Sequence, residues 1–316
     1  MPQFIPSAPV DHWSNLLWTV GSTDIVNSLN PKFLPEKLPW LPVARRKQLL
    51  DYFSSPKVHK SLSTQLDAFL HNYNEHKPTS RLGVYFERLW AFAFEHHPDY
   101  HLIHHNLPLR TAGQTLGELD FVVRYLPTDI CEHWEVAVKF YLQLPGPYWV
   151  GPGLKDRLDI KLNRMAQHQL PFIRRPEVES LLQGLSLDIN RQWAQIPGRL
   201  FKILGTPSEA QANRRSPWRD SHYWWATPKS FIGYFNTLPH LQDLSWLHLP
   251  KCAWLAPLQR GLVEGYSSKQ LVMALERNTL DRPLCISALD KHVEACRGFI
   301  VPASWYPTAL ESLPRP

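Results

Sequence analysis

GELDFVVRYLPTDICEHWEVAVKFYLQL, Gly117 to Leu144, is the stretch whose reading decides the fold. Two runs rich in strand-forming residues flank LPTDI, whose proline and aspartate suit a turn, so a hairpin is expected. Side chains alternate along a strand, which groups Glu118 with Asp120 on one face of the first run, opposite Leu119 and Phe121. The same rule groups Glu135, Ala137 and Lys139 on the second run, opposite Trp134, Val136 and Val138. Each strand then has one charged and one apolar face. A hairpin turning symmetrically around Thr128 and Asp129 sets Asp120 opposite Ala137, Glu118 opposite Lys139 and Val122 opposite Glu135. Glu135 and Lys139 become diagonal neighbours of Asp120, at roughly 7–8 Å between backbones.

Working outward, HLIHHNLPLR adds a strand before the hairpin, making a three-stranded meander, and RLGVYFERLWAFAFEHH (81–97) precedes it as a helix apolar almost all round. Pro98 ends that helix, and Glu87 is its interior acid. Beyond PGPYWVGPG, the spacing predicts a helix from Leu154 to Leu170 with Leu158, Leu162 and Met165 on one face, amid Lys155, Arg157, Lys161 and Arg164. Helix, antiparallel strands and helix in this order predict an α/β (α+β) core over residues 78–172. Residues 1–77 read as a helical segment packed on that core, with helices near Asp11 to Val20, Val43 to Phe53 and Ser61 to Tyr73. Residues 195–316 read as a β-rich unit built from RLFKIL, HYWWAT, KCAWLAPL, PLCISAL and RGFIVPASWY, with one helix from Ser268 to Arg277 and an exposed loop over 211–221.

The chemistry lies on the charged faces. Acids beside a lysine on a partly buried sheet are costly unless paired or bound to a cation. Oxygen ligands of this kind suit Mg²⁺, with Mn²⁺ as an alternative; the cation bridges a phosphate oxygen and acidifies a water, while a lysine orients that water. Phosphodiester hydrolysis is the reaction implied. The competing reading is a structural cross-strand ion pair, for which spacing alone gives even odds.

An acid on a preceding helix, then GELD, then a strand carrying an acid and a lysine is similar to the PD-(D/E)XK phosphodiesterase superfamily. The longer phrasing, RLGVYFERLW, GELDFVVR, HWEVAVKFYL and GPGLKDRLDIKLNRMAQHQL, closely resembles the bacterial domain of unknown function family 1853, whose members match this chain in length. The superfamily resemblance covers residues 80–170 and implies a restriction-endonuclease-like core, a mixed sheet flanked by helices. It implies Asp120 as metal ligand, Glu135 as second acid, Lys139 as catalytic lysine and Glu87 as accessory acid; Glu118 is a further metal candidate. The usual second acid lies two residues before the lysine, where this chain has Ala137; Glu135 lies four before, roughly 13 Å along a regular strand. The site is then either a nuclease centre with a migrated acid, a nuclease-like module that binds DNA or RNA without cutting, or a fold-only relative serving another ligand or a protein partner.

Other features read more plainly. Glu118 reads first as a neutraliser of Lys139, the basic helix face as solvated, and Gln169 as a weak match to a positioning glutamine. The histidines 96, 97, 101, 104 and 105 lack a recognisable zinc spacing and read as a polar strand edge, and Trp224 and Trp225 as packing. Hydrophobic residues at 44% and charged residues at 20% exclude a disordered chain. A net charge of +6 permits a polyanionic partner such as nucleic acid. Four cysteines without a CxxC argue against a zinc ribbon or disulfide framework. No signal-peptide pattern or membrane-length apolar run is evident, so a cytoplasmic, membrane-free protein is expected. The 29 prolines predict many short elements instead of long helices.

Overall fold

The computed structural model describes residues 4–29, 38–76, 81–205, 223–235, 243–258, 263–291 and 293–314. Helices α1 (His12–Gly21), α2 (Val43–Phe53), α3 (Pro56–His76) and α4 (Leu82–His96) precede strands β1 (Tyr100–Thr111), β2 (Gln114–Tyr125), β3 (Ile130–Val136), β4 (Lys139–Gln143) and β5 (Trp149–Val150). Then come α5 (Leu158–Arg164), α6 (Pro176–Gly184), β6 (Arg191–Gln195), β7 (Gly198–Ile203), β8 (Tyr223–Ala226), α7 (Pro228–Phe235) and β9 (Ser245–His248). The chain ends with β10 (Tyr266–Ser267), α8 (Ser268–Arg277), β11 (Leu284–Asp290), β12 (Val293–Ile300) and α9 (Trp305–Glu311). The strands form two sheets, ordered β1-β2-β3-β6 and β10-β9-β11-β12-β8-β7-β4-β5, so the fold is mixed α and β as expected.

Helix α8 has the expected bounds, fixed by a capping box in which Ser267 and Gln270 satisfy each other's backbone N–H. Two local expectations fail. Helix α3 runs 21 residues; its proline stands at the first position, where no N–H is needed, and Leu62, Leu66 and Leu70 bury one stripe. KCAWLAPL forms a 3-10 turn at Lys251–Ala253, not a strand. The loop expected over 211–221 lies outside the described residues.

The chain forms two compact units interleaved in sequence. One comprises His12–Lys139 and Ile160–Gly198; the other comprises Met1–Asp11, Phe140–Asp159 and Arg199–Pro316. These boundaries do not coincide with the serial divisions 1–77, 78–172 and 195–316 read from the sequence.

The first unit carries the four-stranded sheet. Helix α1 meets α4 where Asn15 donates to the Tyr85 hydroxyl at 2.9 Å and His12 Nδ1 lies 2.8 Å from it. Phe94 of α4 packs on Phe121 and Trp134, with ring centroids 5.4 and 5.0 Å apart. A separate buried cluster gathers Leu119, Val122, Cys131, Phe172, Val178 and Leu182. β3 pairs with β1's neighbour β2 antiparallel and with β6 parallel. The chain entering this sheet is tied at Asp24, which accepts the Ile196 N–H at 2.6 Å and Arg46 Nη1 at 3.0 Å. Buried Glu132 is compensated by Arg45 at 2.8 Å, whose guanidinium lies 3.2 Å from the Tyr125 ring centroid, and by Trp134 Nε1 at 3.0 Å. Arg45→Met is expected to cost about 2–3 kcal/mol, measured by urea denaturation, because it strands a buried carboxylate whose remaining cation, Arg191, is only 3.7 Å away at the surface. Unchanged stability would show that Glu132 does not depend on Arg45.

In the second unit Trp224, Phe231 and Trp246 form the centre of a buried cluster, as the packing reading of Trp224 requires. Buried Arg297 and Arg199 both donate to the carbonyl of Trp254, pinning the segment after that 3-10 turn. Residues 4–11 add to this unit through Ser7, bridged to His248. The four cysteines are free thiols. No described helix is long and apolar enough to cross a membrane.

Candidate functional site

The β2–β3 connection sets the site's register. It is a 3-10 turn, Leu126–Thr128, closed by Asp129 in the left-handed region at φ 52, so Tyr125 pairs with Ile130. Aspartate tolerates that conformation better than most side chains, and Arg124 holds it at 2.9 Å. The pairing is thereby shifted two residues from the symmetrical hairpin. Phe121 pairs with Trp134, and continuing that register puts Asp120 level with Glu135, not Ala137. Val122 pairs with His133, not Glu135, and the expected Glu118–Lys139 opposition is absent for the same reason. The ladder stops because Asp120 Oδ2, not a main-chain carbonyl, accepts the Val136 N–H at 3.0 Å.

Asp120 also marks a break in alternation. Leu119 joins the Val122–Phe172 cluster, whereas Phe121 packs against Phe94 and stacks with His105 at 4.6 Å, so Leu119 and Phe121 do not share one environment. On the neighbouring strand, β1 pairs His105 with Phe121 and Leu107 with Leu119, placing Asn106 level with Asp120. Asn106 has φ 54, and its side chain hydrogen-bonds Glu87 of α4. Glu87, Asp120 and Glu118 are close enough to repel one another. Glu118, opposite Pro108, remains exposed at the rim.

Past Val136 the main chain stays in phase with the strand beside it: Ala137 N bonds Gln195 O at 2.9 Å and Lys139 N bonds Pro197 O at 3.1 Å. Glu135, Ala137 and Lys139 therefore keep a common face across the junction, after which β4 enters the other sheet. Glu135 is nearly fully buried and held from the far side. Gln169 Nε2 donates to Glu135 Oε1, Lys161 Nζ donates to Gln169 Oε1 at 2.8 Å, and the same ammonium lies 3.6 Å from Glu135 Oε1. The solvated reading of the basic helix face fails at Lys161, whose side chain is only 13% exposed. It holds for Lys155 and Arg164, which are exposed, but not for Arg157, whose side chain is 14% exposed and paired with Asp159 at 2.6 Å.

Helix geometry explains why these two residues meet. In a continuous α-helix, positions eight apart sit roughly 80° away from each other around the axis. Here α5 gives way to a π-helical turn over Met165–Gln169, whose wider winding returns Gln169 toward the Lys161 face.

The electrostatics follow from this crowding. Burial, and then repulsion from Asp120, hold Glu135 up at about 8, against the pull of Lys161. Burial raises Asp120 to about 6, opposed by the Val136 N–H and Lys161. Glu87 stands at about 7 through burial and the Asp120 charge. Burial and the neighbouring Lys139 charge lower Lys161, while Glu135 opposes that shift.

A folded-state carboxyl raised above its unfolded value contributes stability at low pH that is lost as pH rises through the folded value. His105 and His133, both held near 4 by burial, act in the opposite sense, but only below ~6.5. Between about pH 6.5 and 8.5 the acids decide. Metal-free protein should therefore melt at progressively lower temperature across that interval, and Glu135→Gln should remove most of the slope. A flat wild-type profile in chelator would contradict the burial of an ionisable Glu135.

The site thus brings together Glu87, Asp120, Glu135 and Lys139 from the sequence reading and adds Asn106, Lys161 and Gln169. Glu118 stays peripheral. Among the described residues no group of three or more His, Cys, Asp or Glu side chains is arranged to hold a metal, so an all-protein cage is absent there. The donor set that remains, two adjacent mutually repelling carboxylates, fits a hard cation that keeps waters and takes phosphate oxygens as further ligands. The histidines give no such set: His96 bonds the Phe92 carbonyl, and His105 stacks on Phe121.

The sequence profile of a domain of unknown function, DUF1853, matches residues 15–301. The chain belongs to this family. The match spans Glu87, Asp120, Glu135, Lys139, Lys161 and Gln169, so the whole candidate site lies within the DUF1853 region. No curated protein and no solved structure matches the chain.

Proposed function

We propose that this DUF1853 member is a Mg²⁺-dependent phosphodiesterase that hydrolyses DNA or RNA, with Mn²⁺ able to replace Mg²⁺. The observation that carries the reading is the level placement of Asp120 and Glu135 on adjacent strands, with Lys139 on the same face as Glu135. The order of the four-stranded unit, helix α4, strands β1 to β3, helices α5 and α6 and then β6 parallel to β3, with β4 and β5 leaving for the other sheet in between, supports the PD-(D/E)XK likeness. In this reading Asp120 and Glu135 would hold the cation, which would supply Lewis acidity for a phosphate oxygen and a water. Lys139 orients the attacking water and balances charge on the phosphate. Glu87, held by Asn106 and raised to about 7, is poised to take or return a proton near neutral pH.

A second reading is a nuclease-like module that binds nucleic acid without cutting it. Ala137 at the usual acid position and the engagement of Glu135 Oε1 by Gln169 and Lys161 favour it. One assay separates the two: labelled single- and double-stranded DNA and RNA are incubated with the protein in Mg²⁺, Mn²⁺ or chelator. Metal-dependent cleavage is expected. Salt-dependent binding without cleavage would replace the enzyme by the binding module; neither activity would leave a fold-only relative. A bacterial cytoplasmic setting accords with this proposal.

A further inference from the structure

We infer that Lys161 is a further positioning residue of this site: with Gln169 it holds Glu135 and weakens the binding of a divalent cation between Glu135 and Asp120. The inference rests on the metal-dependent reading above.

Lys161 Nζ reaches Gln169 Oε1 at 2.8 Å and lies 3.6 Å from Glu135 Oε1, the oxygen to which Gln169 also donates. One carboxylate oxygen therefore already serves an amide and an ammonium. A cation taking Glu135 as ligand competes for that oxygen and meets a full positive charge beside it. The ionisable groups facing this point are Glu135, Asp120, Lys139 and Arg164, so the cationic side is well supplied. With side-chain exposures of 13% for Lys161 and 3% for Glu135, water screens the pair poorly. The π-helical turn brings Gln169 to Lys161 while Met165 at its start stays buried, and such turns often mark functional positions. The clamp keeps Glu135 in place until cation and phosphate arrive together, since a phosphate group offsets the ammonium charge that a bare cation meets.

The test measures Mn²⁺ affinity of the full chain at pH 8.5 by electron paramagnetic resonance of free Mn²⁺, without substrate, on variants whose folding is verified by circular dichroism. Wild type is expected to bind and Asp120→Asn to lose binding. Lys161→Arg, which keeps the charge, should stay within about 3-fold of wild type. Lys161→Gln should bind at least ~10-fold more tightly. Lys161→Met removes the same charge with an apolar chain of similar length and adds no cation ligand, and should also tighten binding, which keeps the test decisive if Lys161→Gln fails to fold. If wild type binds, Asp120→Asn does not, and the folded neutralising variants show wild-type or weaker affinity, Lys161 does not have this role and the metal reading stands. If none of the proteins binds Mn²⁺, both fall.

Discussion

Asp120→Asn is expected to abolish metal-dependent cleavage, by at least ~10³-fold, while leaving the protein folded. The amide oxygen that replaces Oδ2 can still accept the Val136 N–H, so the strand end stays closed and stability should change by no more than about 1 kcal/mol. What is lost is the negative charge that, in the proposed role, draws the cation together with Glu135. Removing that charge also relieves Glu135 and Glu87 of a repelling neighbour, which offsets any weakening of the hydrogen bond. Lys139→Ala should lose a similar factor in turnover but retain Mn²⁺ binding, because the role proposed for the lysine is on water and phosphate and not on the metal. Cleavage surviving in folded Asp120→Asn would remove the carboxylate pair from the mechanism.

Gly198→Ala should cost at least ~4 kcal/mol or yield no soluble folded protein. A Cβ at this position would lie 1.7 Å from the Lys139 carbonyl oxygen and 2.8 Å from its carbon. Both contacts are main chain, so no side chain can swing aside. Relief requires the two segments to separate, which breaks the bond from Lys139 N to Pro197 O. The main chain that presents Lys139 is therefore seated directly on Gly198. Thermal melting of the purified variant checks this; a melting temperature equal to wild type would mean the approach is looser than described.

The strands of the site were legible in the sequence because alternation is local: each residue's face follows from its neighbours, so Glu135, Ala137 and Lys139 could be grouped without knowing the partner strand. Register is not local. It depended on whether the turn closed at Thr128 or spent Asp129 as a left-handed residue, and LPTDI permits both. Asn106 escaped notice because its role comes from a positive φ inside a strand, which an asparagine allows but does not announce. The pairing of Lys161 with Gln169 escaped because an α-helical wheel separates them; only the π turn brings them together, and the polar composition of KLNRMAQHQ does not mark where a helix rewinds. Glu132 illustrates the converse: EHWEV offers two acids three positions apart, but nothing nearby in sequence shows that Arg45, far upstream, neutralises the first of them.

The interleaving of the two units governs when each can exist during synthesis. The four-stranded sheet lacks its parallel partner for β3 until β6 has been made, and the Lys139 main chain lacks its support until Gly198 has followed. A fragment cut at residue 172, where the core seemed to end, would carry Asp120, Glu135, Lys139, Lys161 and Gln169 yet leave one edge of β3 open. A nascent chain of that length carries all the candidate site residues and not the platform. The intervening segment Phe140–Asp159 must meanwhile wait for strands made after it, so neither unit is complete before residues of the carboxy-terminal half have been made.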